Sequence, residues 1–539
     1  MLLFGIEASF VAPAGSAVRA AAGWCWIAVS ALLLACVLGA SLAPLRRRSA
    51  WSGPDAGWYL AALLVPVLLV LWGIGGYAHT AINDEAVQQV TEGLRLLRSR
   101  PGPDPFGTGF LGYPGRQYLL AALPSLVFGR GLAALRLGYG ALYIVGYVAF
   151  LAATRQLLEA RQAERPRLLA SLAGMLAALG SYPLLYARLF EQTLVPLALT
   201  FLFLAGLASF LARPGLGAAL VFAWALGFMP YAYTPALASW MLGMAVLAVL
   251  VRSSGPAARR LLGGALAYGL VTFALAPLFA GRTGALPGLL EPGRFSADSA
   301  AGYTGPGWGP WVHRLAEGLH AAVGAEESLV PAPLTLGILF ILLHSLRRGN
   351  IRVLLLGLWA GGTVVLALVL KGYWQRVPEF DLHRAMVVLP ALSLALVLYL
   401  AGLAGSPSSR AILVCGLLYM LLNAAGLPLL RRAPRAYYPF EVTDAEEAAM
   451  LVVDHAGPDP RTIYLAPPLF FPLETTLAYF RPAVRVVHAA PPPGEHQPGA
   501  YVVYYAGTEP FVGEDPTARY TDHPQRFAQP RPYLAIRPE

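Results

Sequence analysis

Charged residues are scarce in this chain. Asp, Glu, Lys and Arg make up 13% of its 539 residues, whereas hydrophobic residues make up 57%. A soluble globular domain carries about 25% charged residues. The mean hydropathy is +0.58, and apolar runs of about 20 residues, the length of a helix that crosses a bilayer, recur along the sequence. The composition therefore excludes an ordinary soluble protein and predicts a polytopic membrane protein.

Cysteine and lysine are also rare. The three cysteines, Cys25, Cys36 and Cys415, each lie within an apolar run, so the sequence does not indicate a disulfide framework of the kind found in small secreted domains. Lys371 is the one lysine among 39 basic residues. Such uniform use of arginine is typical of a coding bias, so an arginine does not indicate a binding role merely by being arginine.

The apolar runs predict about twelve transmembrane spans. We place them at 21–43, 56–76, 132–154, 168–187, 193–212, 217–232, 236–252, 261–280, 332–346, 352–370, 384–404 and 410–429. Alternate loops are rich in arginine, at 46–48, 155–167, 252–260 and 347–352. Because basic loops face the cytoplasm, the net charge of +10 indicates topology and not a nucleic-acid surface.

This topology predicts two domains. A transmembrane domain covers residues 1–430, and a small exterior (periplasmic) α/β domain covers residues 431–539. Both termini are predicted to lie outside the cytoplasm, as are two long loops at 77–131 and 281–331.

The loop 77–131 contains a predicted helix. Val87, Val90, Leu94 and Leu97 recur at spacings of three and four residues, which is the period of an amphipathic helix. We expect this helix to lie along the membrane surface.

The C-terminal domain combines a predicted helix with predicted strands. In residues 443–457, Thr443 and Glu446 form a capping-box pattern at a helix start. The segments "TIYLA", "AVRVVHA" and "AYVVYYAG" that follow are short β-branched and aromatic runs bounded by Pro and Gly, which predict strands.

Two adjacent carboxylates, Asp84 and Glu85, stand just past the second predicted span. An ionised side chain near the bilayer is costly, so it is usually paired or functional. One interpretation is a helix cap, in which Asn83, Asp84 and Glu85 satisfy free N–H groups at the helix start. The other is a general base, because a carboxylate beside a low-dielectric surface holds a proton more readily.

Three motifs follow the acidic pair in order. They are "YPGR" at 113–116, "YARLFE" at 186–191 and "DLHRAMVVLPALSLAL" at 381–396. This order resembles membrane glycosyltransferases of the GT-C class, specifically bacterial relatives of protein O-mannosyltransferases (family 39) and aminoarabinose transferases. The resemblance implies an all-α polytopic fold of about 12 transmembrane helices, to which the C-terminal α/β domain is appended.

The resemblance also implies an activity. We expect an enzyme of the bacterial inner (plasma) membrane that moves a hexosyl or pentosyl group from a polyprenyl-phosphate donor to a glycan, lipid or protein acceptor. Its active site would face the periplasm or exterior, with Asp84 or Glu85 as the catalytic base. The motif positions predicted to bind substrate are Tyr113, Arg116, Tyr186 and Glu191.

The predicted leaving group is a phosphate, which positively charged side chains would stabilise. Because the donor leaves as a phosphate, positive side chains should stabilise its developing charge, and the exterior candidates are Arg188, Lys371, Arg376 and Arg384. The motifs require no cofactor. A divalent metal ion has candidate ligands in Asp84, Glu85, Glu191 and His79.

Other classes of membrane protein remain as alternatives. A transporter or flippase of lipid-linked sugars usually carries its charged site near the bilayer midplane, whereas charges here gather at exterior span ends. An O-antigen-type polymerase or ligase also uses lipid-linked sugars, but we would not expect it to have the early acidic pair followed by a Tyr-Pro motif. A sensor with an exterior tail is the non-enzymatic alternative.

The predicted topology can be tested by labelling. Cysteines introduced at Ser299 and Thr508 should react with an impermeant thiol reagent in intact cells or spheroplasts, because both positions are predicted to lie outside the cytoplasm. The unsubstituted chain is the control. If both positions react only after lysis, the orientation is inverted, and the exterior active site with it.

Overall fold

The computed structural model describes residues 1–43, 55–72, 84–98, 115–180, 193–232, 234–283 and 386–401 almost continuously, together with short stretches up to residue 538. The α-helices within these residues are α1 Leu2–Ser9, α2 Ala17–Leu42, α3 Ala56–Leu71, α4 Asp84–Leu97, α5 Arg116–Phe128, α6 Leu132–Ala160, α7 Pro166–Ala178, α8 Leu194–Ala212, α9 Leu216–Phe228, α10 Thr234–Ser253, α11 Pro256–Thr283 and α12 Leu389–Ala401. Short 3-10 helices, Met229–Tyr231 and Met386–Val388, adjoin α9 and α12.

The helices coincide with the predicted spans wherever the structure describes them. Helices α2, α3 and α6 to α12 lie at span positions, and three of the described helices, α2, α6 and α8, are long and apolar enough to cross a membrane. The predicted spans at 332–346, 352–370 and 410–429 lie wholly or mostly outside the described residues. The chain thus has the helices of a membrane protein, and the total of about twelve spans stays a prediction.

Helix α6 lies at the centre of the core and packs along α7 and α8. The ring of Phe201 on α8 contacts Tyr143, Tyr147 and Phe150 of α6, with centroids 5.2–5.9 Å apart. A Cβ atom at Gly146 would come within 2.8 Å of the Ala198 carbonyl oxygen. The two backbones therefore approach as closely as small residues allow, which is a usual packing mode of membrane helices.

The amphipathic helix of the first loop is confirmed as α4. Its four apolar positions are all at most 5% exposed: Val87, Val90, Leu94 and Leu97. They are covered by protein, with α5 as the main neighbour of α4. Packing against α5 removes this apolar face from water, and the position of α4 along the membrane surface stays a prediction.

The C-terminal residues form the three strands that the sequence predicts, followed by two further strands that it does not predict. The strands are β1 Thr462–Leu465, β2 Arg485–Val487, β3 Ala500–Tyr505, β4 Arg519–Tyr520 and β5 Leu534–Pro538, in the sheet order β2-β1-β3-β5-β4. Strands β2, β1 and β3 are parallel, and β5 pairs antiparallel with β3. Parallel neighbours need crossover connections, which are usually helical. The predicted helix at 443–457 lies outside the described residues, so the α/β character of this domain stays a prediction.

Within the described residues, Tyr479 of the C-terminal segment contacts the helical bundle. The Tyr479 side chain is fully buried, and its hydroxyl lies 2.8 Å from the Ser125 hydroxyl at the end of α5. Tyr479 also donates to the Gly131 carbonyl at 3.3 Å, and Arg130 donates to the Tyr479 carbonyl at 3.3 Å. Burial raises the pKa of the Tyr479 phenol, so the phenol keeps the proton that it donates.

Removing the buried hydroxyl pair should weaken the attachment of the C-terminal domain. Tyr479→Phe and Ser125→Ala should each lower the free energy of unfolding by about 0.5–1.5 kcal/mol. The double variant should cost less than the sum of the two, because both remove the same hydrogen bond. Thermal unfolding in detergent measures all three variants, and strictly additive losses would contradict the contact.

Candidate active site

The acidic pair occupies the first turn of α4. Asp84 and Glu85 are the first two residues of this helix, where carboxylates interact favourably with the partial positive charge of the helix N-terminus. The position agrees with the capping interpretation and leaves the catalytic interpretation open. The structure describes the backbone of the pair, and the contacts of the two side chains lie outside the description.

Most of the other predicted site residues fall in segments that the structure does not describe. They are His79, Tyr113, Arg188, Glu191, Lys371, Arg376 and Arg384. Among the described residues, no three His, Cys, Asp or Glu side chains come together as a metal site. Tyr186 is described and is buried, at 5% exposure. The roles predicted for these residues stay predictions.

Arg116 is the predicted site residue with the fullest description. It is the first residue of α5, directly after Gly115, and its side chain is 1% exposed. Its Nη2 donates to Oε2 of Glu7 at 2.6 Å, and its Nη1 donates to the Gly227 carbonyl at 3.1 Å. Glu7, on α1, has a fully buried side chain. A buried guanidinium is tolerated when a carboxylate and further hydrogen bonds compensate its charge, as they do here.

Aromatic side chains complete what we call the Glu7–Arg116 cluster, which consists of Glu7, Trp26, Arg116, Tyr231 and Tyr268. The Arg116 Cζ atom lies 4.0 Å from the ring centroid of Tyr231 and 5.4 Å from that of Trp26. Tyr268 donates to Oε1 of Glu7 at 3.1 Å. Burial lowers the pKa of Arg116, but Glu7 and the two tyrosines outweigh it, so the net pKa is raised. The guanidinium stays charged, and the ring faces add cation–π attraction.

The cluster is connected to the acidic pair through two helices. Arg116 begins α5, and Tyr118 follows within the same turn. The Tyr118 carbonyl faces Gly93 of α4 so closely that a Cβ atom on Gly93 would collide with it. Helix α4 in turn begins with Asp84 and Glu85. Helix α4, which begins with the acidic pair, therefore packs against the start of α5. The start of α5 is in turn fixed by the Glu7–Arg116 ion pair.

Sequence reasoning predicted Arg116 as a substrate-binding residue but missed its partner. The described partners of Arg116 are protein groups, so its substrate role stays a prediction. Glu7 belongs to no motif. Its one signal is that it is the single charged residue in an otherwise apolar stretch at 2–9, and a lone acid in an apolar segment indicates pairing or function.

Two further buried polar residues were missed near the same end of the bundle. Arg136, in the second turn of α6, is 2% exposed, and it donates to the Ile74 carbonyl at 2.8 Å, just after the end of α3. Gln89 lies on α4, four residues after Glu85, and is fully buried. Its amide nitrogen and oxygen have no hydrogen-bond partner within the described part of the chain. Such a group is costly unless water or a bound molecule satisfies it.

The chain is similar to known proteins in structure but matches none of the family models or curated proteins in sequence. No protein-family model matches the chain, and no curated protein is similar to it in sequence. Solved structures of ArnT from Cupriavidus metallidurans are similar to it. The apo state has 14% identity and a TM-score of 0.49, over 80% of this chain and 86% of ArnT. The complex with undecaprenyl phosphate has 15% identity and a TM-score of 0.47, over 89% and 98%.

An oligosaccharyltransferase from Archaeoglobus fulgidus, solved with Zn and sulfate, is also similar. The identity is 15% and the TM-score 0.40, over 80% of this chain and 62% of that one. These structures belong to the GT-C class that the motifs resemble. At TM-scores below 0.5 and at most 15% identity, the chain is similar to them, and the likeness by itself does not establish a shared activity.

Two ion pairs of equal length allow burial to be tested directly. Glu7–Arg116 and Glu92–Arg95 both have N–O distances of 2.6 Å, but the first is at most 1% exposed, whereas the second is 31% and 59% exposed. Glu7→Gln leaves a buried charge unpaired, which should cost about 3–5 kcal/mol of unfolding free energy. Glu92→Gln should cost at most about 1 kcal/mol. Equal losses in thermal unfolding would show that the charge of Arg116 does not depend on Glu7 for compensation.

Proposed function

We propose that this chain is an integral-membrane glycosyltransferase. It moves a sugar from a polyprenyl-phosphate donor to a hydroxyl acceptor at the end of the bundle where α4 and α5 lie, on the exterior face of the membrane. The observation that carries the proposal is the acidic pair on the first turn of α4. The apolar face of that helix is buried by protein, and a catalytic group on such a rigid element keeps its geometry better than one on a loop.

The proposed step needs one base and cationic partners. The acceptor oxygen forms a bond to the anomeric carbon of the sugar while the bond from that carbon to the phosphate oxygen breaks. The carboxylate takes the proton of the acceptor hydroxyl. Polyprenyl phosphate departs with the electron pair of the broken bond. A single base on the face opposite the leaving group suffices for an inverting transfer, by the geometry of inverting glycosidases.

Side chains from several segments would serve this step. We assign Asp84 as the base, with Glu85 orienting it or sharing a metal ion. Positive charge on the departing phosphate side comes from the proposed cations Arg188, Lys371, Arg376 and Arg384. A divalent ion, where one takes part, would be held by oxygen ligands of Asp84, Glu85 and Glu191 with His79.

The remaining predicted positions would contact the sugar or the acceptor. We assign this role to Tyr113, Tyr186 and Glu191. We also assign Arg116 to substrate binding, as the motif predicts. The amide of Gln89, which has no partner among the described residues, suits a hydrogen bond to a sugar hydroxyl or to an ordered water, because either would satisfy its polar atoms.

A transporter or flippase of lipid-linked sugars is the competing function. Transporters concentrate charge near the membrane midplane. Three buried arginines that the structure describes in the long helices, Arg19, Arg136 and Arg155, lie within about two turns of a helix end. This placement favours chemistry at the end of the bundle over a transport path through its middle.

Replacing the base should separate catalysis from capping. Asp84→Asn keeps the size of the side chain and remains a good helix cap, but it cannot accept the proton. We expect normal expression and donor binding with a rate lowered about 10²–10⁴-fold. Glu85→Gln should have an unequal effect, since adjacent helical residues point about 100° apart. Transfer of radiolabelled sugar from the lipid donor measures the rate.

Glu92→Gln on the same helix is the matched control, because it removes a carboxylate from an exposed pair. It should retain the parent rate. If both Asp84→Asn and Glu85→Gln also retain the parent rate, the acidic pair is a helix cap and the proposed mechanism is wrong.

A further inference from the structure

We propose that Glu7 is a positioning residue for the proposed transfer reaction. Its carboxylate holds Arg116, and through Arg116 it fixes the packed helices α4 and α5 in the geometry that turnover needs. This inference rests on the proposed function. It assigns a role in the reaction to a residue on α1, which lies far in sequence from the motifs that resemble GT-C enzymes.

The position of Arg116 is unfavourable on local grounds. A cation at the first position of a helix opposes the partial positive charge of the helix N-terminus, and the first turn of α5 contains no acidic residue. The carboxylate therefore has to come from elsewhere in the chain. It comes from Glu7, which is 109 residues away in sequence.

The geometry around Glu7 is fixed in several directions. One carboxylate oxygen accepts from Arg116 at 2.6 Å, and the other accepts from Tyr268 at 3.1 Å. The guanidinium is held from another side by the Gly227 carbonyl. Charged hydrogen bonds from a planar guanidinium are directional. An apolar pair of the same volume would fill this space without fixing the orientation of α5.

A backbone contact links the ion pair to the helix that begins with the proposed base. Tyr118 lies two residues after Arg116 in α5, and its carbonyl contacts Gly93 of α4. Because this contact is between backbones, a shift at the start of α5 passes directly to α4, whose first residues are the acidic pair. A misplacement of about 1 Å in a catalytic geometry can cost about 10²-fold in rate.

The test separates positioning from stabilisation by replacing both charges. In Glu7→Met with Arg116→Met, no charge stays buried without a partner, and such apolar replacements of buried ion pairs are often neutral for stability. Three readouts are compared with the parent: thermal unfolding in detergent, hydrogen exchange of the hydrogen-bonded amides of α5 from Leu119 onward, and kcat and KM for the lipid-linked sugar. The control is Glu159→Gln, which removes the more exposed partner of the Arg155–Glu159 pair on α6. It should leave all three readouts at parent values.

We expect the double variant to unfold near the parent temperature and to exchange the α5 amides about tenfold faster. Its kcat should fall about 10–100-fold. Glu7→Asp, which leaves Arg116 in place, should lower kcat with an unchanged KM. Parent values of exchange and kcat would overturn the proposal and make the pair purely structural. If the double variant does not fold, Glu7→Asp decides, because it keeps the charge and shortens the side chain: a lowered kcat supports positioning, and a parent kcat refutes it.

The two proposals fail in different ways. If the parent protein transfers no sugar from any polyprenyl-phosphate donor, the proposed function is wrong, and the hydrogen-exchange comparison alone then decides the structural part of this inference. If the parent is active and the double variant equals it in both kcat and exchange, the proposed function stands and Glu7 has no positioning role.

Discussion

A guanidinium buried at the start of a helix is the constraint on which this end of the molecule depends. Arg116 opens α5 with a side chain that is 1% exposed, where both the missing water and the helix dipole oppose its charge. The cost is offset by Glu7 of α1, the Gly227 carbonyl and the ring of Tyr231. Segments distant in sequence must therefore meet at the point where α5 begins.

The acidic pair lies outside the Glu7–Arg116 cluster, but the helix that carries it packs against the helix that Arg116 begins. Asp84 and Glu85 begin α4, and the contact of Gly93 with the Tyr118 carbonyl holds α4 on α5. Tyr479 fixes the other end of α5 through Ser125. Helices held in this way would supply the preorganisation that the proposed general base requires. Within the described residues, the Gln89 amide on α4 has no hydrogen-bond partner.

The features that sequence predicted are the ones set by local pattern. The helices at span positions follow from apolar runs, α4 follows from the spacing of Val87, Val90, Leu94 and Leu97, and β1 to β3 follow from β-branched runs. The partner of α4 could not be predicted, because an amphipathic pattern shows that a face is buried but not whether lipid or protein covers it. The Glu7–Arg116 pair is a tertiary contact between unrelated segments, for which the sequence carries no periodic signal.

The proposed function requires that this chain consume a polyprenyl-phosphate sugar. The most direct measurement is mass spectrometry of lipid-linked sugars from cells that lack the gene, complemented with the parent chain or with Asp84→Asn. We predict that one polyprenyl-phosphate sugar accumulates on deletion, returns to its normal level with the parent chain and stays high with Asp84→Asn. Identical lipid-linked sugars in all of these cells would contradict it.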